Sequence, residues 1–464
     1  MESIGIVVTD GVGFRNFILS NFISESLQSF KKVIIYSGIP KSEYPNYNNP
    51  KVVIKELPIF NETKINWIFR KLKELAHSYL HRDYYGINDN LVHGYPKNNS
   101  FRAFQIKFIY LIANFFHKEK HIQKFEKWQF KSFQNNPIAM QYLELLKNDT
   151  PDILFFTHQR PPYIAPVLDA AQQLKIKTAS FIFSWDNLAS KGRMLGDFDY
   201  YLVWSELMKK ELLHFYPTTK ASNIEVVGTP QFEPYVMDEY EVSKDAFLMK
   251  FDLDGSKKII CYSCADAGIG GNDPIHIEAI MNYIKKSANE FQLLVRTSPA
   301  ENGKRFDETK NKFSSIKWNI PKWKLTRNNH VESWSQRVPT SEDIIDLKSI
   351  LKFSDVNVNM CSTMSMDFML FDKPVINTVF GNKENGLYND QRFLNYDHYK
   401  YVINSNAVVI AKNEAALFTA LDEAFNYPNK YKNERKQLLD YEIGKPLEGT
   451  SKRMVEALKR FINE

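Results

Sequence analysis

Short apolar runs alternate with amphipathic stretches along most of this chain. SIGIVVT and KKVIIYSG are short and rich in β-branched residues, whereas FRNFILSNFISESLQSF between them spaces its apolar residues three or four apart. Runs of the first kind predict strands that are buried on both faces, and the spacing of the second predicts a helix. PDILFFTHQ, PVLDAAQQLKI and KTASFIFS repeat the alternation. Strands that alternate with helices predict a parallel sheet covered by helices.

The same pattern runs twice through the chain, with a turn-rich boundary at 228–235 (GTPQFEPY). KKIICYSC, FQLLVRTS, DVNVNM and PVINTV are the predicted strands of the second half. The segment 62–148 differs, because it is Lys-rich, aromatic and helical in its spacing. We therefore predict an N-terminal α/β domain over 1–229 with a helical insert at 62–148. A second α/β domain covers 230–445, and a C-terminal helix over 446–464 packs back toward the first domain.

Composition narrows the class of protein. The chain has 464 residues, of which 44% are hydrophobic and 14% aromatic, so it can build two ordinary cores. Its three cysteines are too few for a disulfide framework, and we expect a reducing, cytoplasmic location. We expect no signal peptide and no membrane-spanning helix, since no run of 18 apolar residues occurs. A formal charge of +6 suits anionic ligands or an acidic membrane surface better than sequence-specific DNA binding.

The stretch 361–376, CSTMSMDFMLFDKPVI, contains the first candidate ligand site. Ser362 and Thr363 follow a predicted strand and open a helix, where backbone N–H groups and the helix dipole favour an anion. Asp367 lies one to two turns further on and can bind a diol from the same face. This pattern predicts a diphosphate at the helix start and a ribose on the carboxylate. A capped amphipathic helix without a ligand is the alternative.

This stretch resembles a motif of GT-B glycosyltransferases and the related UDP-N-acetylglucosamine 2-epimerases. In those enzymes an acidic residue seven positions before the proline of a (G/D)-(K/L)-P-(V/A)-(I/L) run holds the ribose, and small residues upstream hold the diphosphate. Asp367 stands seven positions before Pro374, and Ser362, Thr363 and Met364 replace the small-residue turn. The resemblance implies the GT-B fold, in which two Rossmann-like domains face a central cleft.

Two further segments resemble transferases of the same superfamily. KTASFIFSWDNLASKGRMLGDFDYYLVWSELMKKELLHFYP, with the later IEVVGTPQFEPY, is similar in layout to bacterial surface-polysaccharide transferases. LLVRTSP is similar to a segment of CDP-glycerol-type transferases, although Ser298 stands where histidine is usual. These resemblances imply an enzyme that transfers a group from a nucleotide-activated donor to a surface glycan.

The second half also supplies candidate donor contacts at strand ends. Ser263 ends one predicted strand and precedes a Gly-rich loop that contains Gly268; loops at this place lie over the donor phosphates in the superfamily. Arg296 ends the next predicted strand, where its guanidinium suits phosphate or carboxylate oxygens. A surface ion pair is the alternative interpretation of Arg296.

The first half supplies candidate acceptor contacts in TDGVGFRN (9–16), which we predict to be a loop. Gly11 and Gly13 let a backbone approach a ligand closely, and Arg15 and Asn16 offer polar groups. A turn that needs positive φ angles is the alternative explanation of the two glycines.

Three residues are candidate bases for an acceptor hydroxyl, in the order Asp186, Asp10 and His158. A carboxylate can accept the hydroxyl proton, and each residue follows a predicted strand. The histidine could equally be structural, and the tryptophan beside Asp186 could serve packing instead of stacking. The acceptor contacts predicted around Asp186 are Trp185, Asn187 and Lys191.

We predict a metal-independent glycosyltransferase of the cytoplasm or the inner face of the cell membrane. Its partners would be a nucleotide-sugar donor and a glycan or lipid-linked acceptor, with no further cofactor and no specific nucleic acid. A nucleotide-sugar 2-epimerase or a glycerophosphate or keto-sugar transferase is the alternative within the superfamily. A non-enzymatic membrane or nucleic-acid adaptor is the second alternative, because the insert at 62–148 interleaves basic and aromatic residues. A solvated helical face over an aromatic core would explain the same composition.

Overall fold

The computed structural model describes residues 2–287, 290–381 and 390–464, which fold into two compact units. Unit 1 comprises Met1–Glu233, Leu325–Val338 and Glu442–Glu464. Unit 2 comprises Pro234–Lys324 and Pro339–Tyr441. We call Leu325–Val338 the returning segment, because it lies far along the sequence and yet belongs to unit 1.

Helices and strands mostly alternate in the N-terminal half, and five helices follow one another between the third and fourth strands. The elements are β1 (Ser3–Val8), α1 (Gly11–Ile18), α2 (Phe22–Ser29), β2 (Lys32–Ser37), β3 (Val52–Glu56), α3 (Lys64–Leu80), α4 (Tyr85–His93), α5 (Phe101–Phe115), α6 (Glu119–Lys131), α7 (Pro137–Asp149), β4 (Ile153–Phe156), α8 (Ala165–Gln173), β5 (Lys177–Phe181), α9 (Asn187–Ser190), β6 (Tyr200–Val203), α10 (Glu206–Phe215) and β7 (Ile224–Val226).

The C-terminal half repeats the alternation. Its elements are α11 (Lys244–Phe251), β8 (Lys258–Ser263), α12 (Asp273–Lys286), β9 (Phe291–Arg296), α13 (Asp307–Lys312), β10 (Lys317–Asn319), β11 (Lys324–Leu325), β12 (Arg337–Val338), α14 (Ser341–Phe353), β13 (Val356–Asn359), α15 (Met364–Met369), β14 (Val375–Thr378), α16 (Asp397–Asn404), β15 (Val409–Ala411), α17 (Glu414–Asn426), α18 (Lys432–Ile443) and α19 (Thr450–Asn463).

A seven-stranded parallel sheet forms the centre of unit 1, in the order β3-β2-β1-β4-β5-β6-β7. Strand β1 is buried on both faces, and its Ile4 lies opposite Val33 of β2 and Ile153 of β4. The chain leaves β1 toward β2 but returns to β4 on the other side, so the strand order reverses there. Ligands of open α/β sheets bind beyond the carboxyl ends of strands at such a reversal.

The predicted helical insert is confirmed as the five helices α3 to α7, between β3 and β4. Helix α3 begins with a capping box, in which Thr63 Oγ1 accepts from Asn66 N and Asn66 Oδ1 accepts from Thr63 N. Helices α3, α5 and α6 enclose a small apolar core of their own, formed by Leu72, Ala76, Ile109, Ala113, Ile122 and Phe125.

Two distant segments complete unit 1. Helix α19 packs against α2, and its Phe461 ring stacks on Tyr200 with 4.1 Å between the ring centroids. The returning segment is held by hydrogen bonds from Arg327 Nη1 and Gln336 Nε2 to the carbonyl oxygen of Gly38, both of 3.2 Å. The returning segment thereby lies next to the loop that follows β2.

Unit 2 contains a six-stranded parallel sheet in the order β10-β9-β8-β13-β14-β15. Its strand order reverses between β8 and β13, as that of unit 1 reverses between β1 and β4. Apolar residues from β8, β9, β13 and α12 form its core. The predicted α/β class with two Rossmann-like parts is confirmed, including the helical insert in the first.

Candidate functional site

Asp10 lies directly beyond β1 and caps the N-terminus of α1. Its Oδ1 accepts hydrogen bonds from Val12 N (3.0 Å) and Gly13 N (2.8 Å). Because this cap starts the helix at Gly11, residues 11–16 lie in α1 and the predicted loop over 9–16 is wrong.

The two glycines of α1 are explained by packing against protein. A Cβ atom on Gly11 would lie 1.6 Å from the carbonyl oxygen of Arg337, in the returning segment. A Cβ atom on Gly13 would lie 2.7 Å from Thr157 Oγ1. Neither glycine has a positive φ angle. The acceptor contact predicted for Gly11 and Gly13 is therefore corrected: both let protein, and not a ligand, approach the helix.

The other two predicted residues of α1 differ in exposure. Arg15 is half-buried. Asn16 is buried, and its Oδ1 and Nδ2 have no hydrogen-bond partner among the residues that the structure describes. A buried amide without a partner costs about 1–3 kcal/mol, so Asn16 needs a water molecule or a ligand to satisfy it. Both residues stay predicted acceptor contacts.

Asp10 and His158 form a hydrogen-bonded pair across the reversal of strand order. His158 follows β4, the neighbour of β1, and its Nδ1 lies 2.8 Å from Asp10 Oδ2. The imidazole stacks on the Phe183 ring, beyond β5, with 3.8 Å between centroids and 13° between planes. Thr9 Oγ1 donates a second hydrogen bond of 2.7 Å to Asp10 Oδ2. We call Asp10 and His158 the Asp–His pair.

The environment of the Asp–His pair sets the proton positions. Burial raises the pKa of Asp10, but the hydrogen bond and charge of His158, with the hydrogen bonds of Gly13 and Thr9, outweigh burial and lower the pKa overall. Burial lowers the pKa of His158, and the opposing effect of Asp10 does not fully compensate. At neutral pH an ionised carboxylate therefore accepts from the Nδ1–H of a neutral imidazole, whose Nε2 keeps its lone pair.

Asp186, the first candidate base of the sequence analysis, is held by its neighbours. Its Oδ2 lies 3.3 Å from Lys191 Nζ, and its Oδ1 accepts from Asn187 Nδ2 at 3.1 Å. Asn187 Oδ1 accepts in turn from Gln159 Nε2 (2.9 Å), which ties the loops after β4 and β5 together. Trp185 is buried, which supports packing as its role. Asp186 and Lys191 are partly exposed and stay candidates, whereas Asn187 positions the loop.

Unit 1 contains a cavity of about 700 Å³ that the sequence did not predict. Its apolar wall is formed by Phe60, Trp67, Ile106, Pro162, Tyr163 and Val331, and its charged residues are Glu62, Lys64, Arg70, Arg102 and Glu332. Tyr163 connects the cavity to the Asp–His pair, because its hydroxyl donates a 3.0 Å hydrogen bond to the carbonyl oxygen of Thr9. No sequence motif marks these residues, since they come from the insert, the loop after β4 and the returning segment.

Arg70 lines the cavity and forms ion pairs with two glutamates. Its guanidinium forms a fork with Glu62 at 2.6 and 2.7 Å and reaches Glu74 Oε1 at 2.8 Å. Burial raises the pKa of Glu332, the Arg70 charge lowers it, and the Asp10 charge raises it, with a raised pKa as the result. Glu332 can accept hydrogen bonds from a hydroxyl-rich ligand.

Three of the predicted donor contacts in unit 2 serve its interior. Ser263 Oγ accepts from Asn357 Nδ2 at 2.9 Å within the sheet. Arg296 forms a buried ion pair with Asp343 (3.0 and 3.2 Å) and also donates to Asn319. Asp367 is buried, and its Oδ1 accepts from the hydroxyl of Tyr235. Arg296, Asp367 and Ser263 thus have protein partners, and their donor contacts stay predictions.

The turn 361–364 before α15 is held by a network of buried asparagines. Asn359 Oδ1 accepts from Ser362 N (2.9 Å) and from Asn377 Nδ2 (3.1 Å). Ser362 Oγ accepts from Met364 N at 3.3 Å. Protein groups thus occupy N–H groups that we predicted for a diphosphate, and α15 has only six residues. Ser362, Thr363 and Met364 are half-buried and stay predicted donor contacts.

Arg305 holds the Gly-rich loop that follows β8. Arg305 donates to the carbonyl oxygens of Gly270 (2.7 Å) and Ala265 (2.9 Å) and forms an ion pair with Asp273 (2.6 Å). Gly268 is exposed, and a Cβ atom on it would meet nothing within 4 Å. A ligand therefore has room at Gly268, which stays a predicted donor contact.

Neither a metal site nor a membrane span is found in the part of the chain that the structure describes. Within residues 2–287, 290–381 and 390–464, no group of three His, Cys, Asp or Glu side chains could hold a metal ion. No helix among these residues is long and apolar enough to cross a bilayer.

Solved structures share the fold over nearly the whole chain. The MnaA protein of S. aureus in complex with UDP has a TM-score of 0.54 at 12% identity, covering 100% of this chain and 97% of its own. The UDP-GlcNAc 2-epimerase of Neisseria meningitidis bound to UDP-GlcNAc has a TM-score of 0.52 at 12% identity, covering 99% of this chain and 100% of its own. A glycosyltransferase of Rickettsia africae ESF-5 has a TM-score of 0.53 at 12% identity, covering 100% of this chain and 99% of its own. No protein-family model and no curated protein matches the chain.

The two parallel sheets and these structural relatives together define the GT-B fold. The fold that the sequence motifs implied is thereby confirmed for this chain. The fold is shared by epimerases and transferases, so the reaction has to be argued from the residues.

We predict that Gly11→Ala lowers the melting temperature by several degrees. Alanine favours a helix over glycine, so a loss of stability can come only from the clash with the Arg337 carbonyl, for which overpacking typically costs about 1–3 kcal/mol. Thermal unfolding followed by circular dichroism measures the effect, with Gly268→Ala as the matched control in open space. Equal melting temperatures for the two variants would contradict the packing of the returning segment on α1.

Proposed function

We propose that this chain is a glycosyltransferase that moves a sugar from a nucleotide-activated donor to a hydroxyl group of a glycan acceptor. The observation that carries the proposal is the 2.8 Å contact between His158 Nδ1 and Asp10 Oδ2 at the strand reversal of unit 1. A neutral imidazole held in one tautomer by a buried carboxylate is a general base suited to an alcohol.

In the proposed reaction His158 Nε2 takes the proton of the acceptor hydroxyl. The acceptor oxygen forms a bond to the anomeric carbon of the donor sugar, and the bond between that carbon and the diphosphate oxygen breaks. The nucleoside diphosphate leaves with the electron pair. Asp10 holds the imidazole orientation and stabilises the positive charge that develops on His158.

The cavity of unit 1 is the proposed acceptor site. Trp67 and Tyr163 offer aromatic faces for a sugar ring, and Glu62, Arg70 and Glu332 offer planar polar groups for its hydroxyls. Its connection to Thr9 through Tyr163 brings a bound sugar toward the Asp–His pair.

The proposed donor site lies on unit 2, at the half-exposed turn of Ser362, Thr363 and Met364 and at Gly268 of the Gly-rich loop. The hydroxyl groups of Ser362 and Thr363 and the exposed backbone at Gly268 suit a diphosphate without a metal ion. UDP-GlcNAc is the donor to test first, because the N. meningitidis relative is bound to it and the S. aureus relative is bound to UDP, the product of its transfer. A nucleotide-sugar 2-epimerase is the second candidate, since the same relatives include an epimerase.

We predict that Asp10→Asn and His158→Ala lower kcat by about 10²–10⁴-fold. Asparagine can still cap α1, so the fold should persist, but its amide favours the wrong tautomer of His158. UDP release from UDP-GlcNAc in the presence of lipid-linked bacterial glycans measures the rate. The wild-type rate should fall at acidic pH as His158 becomes protonated, and at a lower pH than for an ordinary histidine, because burial lowers the pKa of His158.

The matched comparison for this prediction is Asp186→Asn, which removes the competing base. A larger loss of kcat in Asp186→Asn than in Asp10→Asn would overturn the role of the Asp–His pair. Circular dichroism of each variant separates a loss of chemistry from a loss of fold.

We predict that the protein converts UDP-GlcNAc only when an acceptor is present. Wild-type protein incubated with UDP-GlcNAc and lipid-linked glycans should release UDP and extend the glycan. Without acceptor, proton NMR of the nucleotide sugar should show no change at C2. Inversion at C2 without acceptor would establish the epimerase instead, and a lack of any melting shift with UDP, GDP, CDP, CMP and dTDP would favour a non-enzymatic adaptor.

A further inference from the structure

Helix α5 presents a row of exposed apolar side chains to solvent. Phe101, Phe104, Phe108, Leu111 and Phe115 have exposed fractions of 78%, 67%, 55%, 51% and 71%. Their spacing of three, four, three and four residues places them on one side of the helix. We call these five residues the aromatic stripe. Contiguous exposed apolar surface of this kind marks an interaction site on a folded protein.

The opposite side of α5 is firmly packed, so the aromatic stripe is displayed by a rigid element. Ala103, Ile109, Tyr110 and Ala113 are buried, and the insert core joins α5 to α3 and α6. Ser100 caps the helix, since its Oγ accepts from Ala103 N at 3.2 Å. The exposure of the stripe is therefore a property of a well-anchored helix and not of a fraying one.

The segment of chain that contains the stripe has basic residues and no acidic ones. No acidic residue occurs between Asp89 and Glu119, whereas that interval contains the basic residues Lys97, Arg102, Lys107 and Lys118. Helix α6 adds the exposed Lys120, Lys124 and Lys127 to the same insert. An apolar face on a segment that has basic and no acidic residues is complementary to an acyl-chain boundary covered by anionic headgroups.

We propose that the aromatic stripe docks on an anionic membrane surface, with α5 lying in the plane of the interface. The helix has 15 residues and a length of about 22 Å, too short to cross a bilayer. The three-and-four spacing would also suit a helix of a second copy. A helical seam of that kind usually has aliphatic residues flanked by both signs of charge, and the phenylalanines and positive charge of α5 favour the membrane.

Membrane docking goes beyond the proposed reaction and does not depend on it. Arg102, Gln105 and Ile106 of the same helix line the 700 Å³ cavity of unit 1. The helix that would contact the bilayer thus also forms a wall of the cavity.

Flotation of the full-length protein with vesicles tests this inference. We expect the wild type to float with phosphatidylcholine vesicles that contain phosphatidylglycerol and not with pure phosphatidylcholine, and added salt should weaken binding. The double variant Phe104→Ser/Phe108→Ser should lose at least about tenfold in the partition coefficient, because two large apolar side chains no longer enter the interface. Lys97→Gln/Lys107→Gln should reduce the dependence on salt.

The matched control is Met249→Ser, which removes an apolar side chain that is 81% exposed on unit 2. Its partitioning should equal that of the wild type, and the phenylalanine and methionine variants should keep their melting temperature because the altered residues are exposed. Failure of the wild type to bind anionic vesicles, or undiminished binding by Phe104→Ser/Phe108→Ser, would overturn the proposal. A dimer in light scattering that dissociates in the same variant would instead assign the stripe to a second copy.

Discussion

The reversal of strand order in a parallel sheet is the constraint on which unit 1 depends. At this reversal the connections of the two neighbouring strands run to opposite sides, which leaves a crevice at their carboxyl ends. Polar residues that follow the two strands therefore lie close together. Asp10 and His158 are separated by 148 positions in the sequence and lie 2.8 Å apart in the fold for this reason. Burial keeps the imidazole neutral, whereas hydrogen bonds and the contact with His158 outweigh burial at Asp10 and keep its carboxylate ionised.

Sequence patterns predicted the fold well, because buried strands and helices require apolar residues at regular positions along the chain. Runs such as KKVIIYSG became strands buried on both faces, and the spacing in the insert became helices α3 to α7. The returning segment could not be predicted from such patterns. Leu325–Val338 joins unit 1 through single hydrogen bonds to Gly38 and a close contact with Gly11, and neither leaves a periodic signal.

The candidate site was predicted only in part, because a charged residue near a strand end does not by itself distinguish a contact with a ligand from a contact with protein. Arg296 and Asp367 were assigned to a ligand because charged residues near strand ends tend to bind one, but Asp343 and Tyr235 satisfy them inside unit 2. The signal that was overlooked is the alternation in DVNVNM. Asparagines at every second position of a central strand are buried and must find partners, and here they hold the turn of Ser362.

The measurement that tests the central claim most directly is the protonation state of His158. Nitrogen-15 NMR of histidine-labelled protein, with the resonances assigned by His158→Gln, reports the two ring nitrogens separately. A protonated Nδ1 and an unprotonated Nε2 at pH 7 are the predicted result. A doubly protonated ring, or a proton on Nε2 alone, would contradict the assignment of His158 as the base.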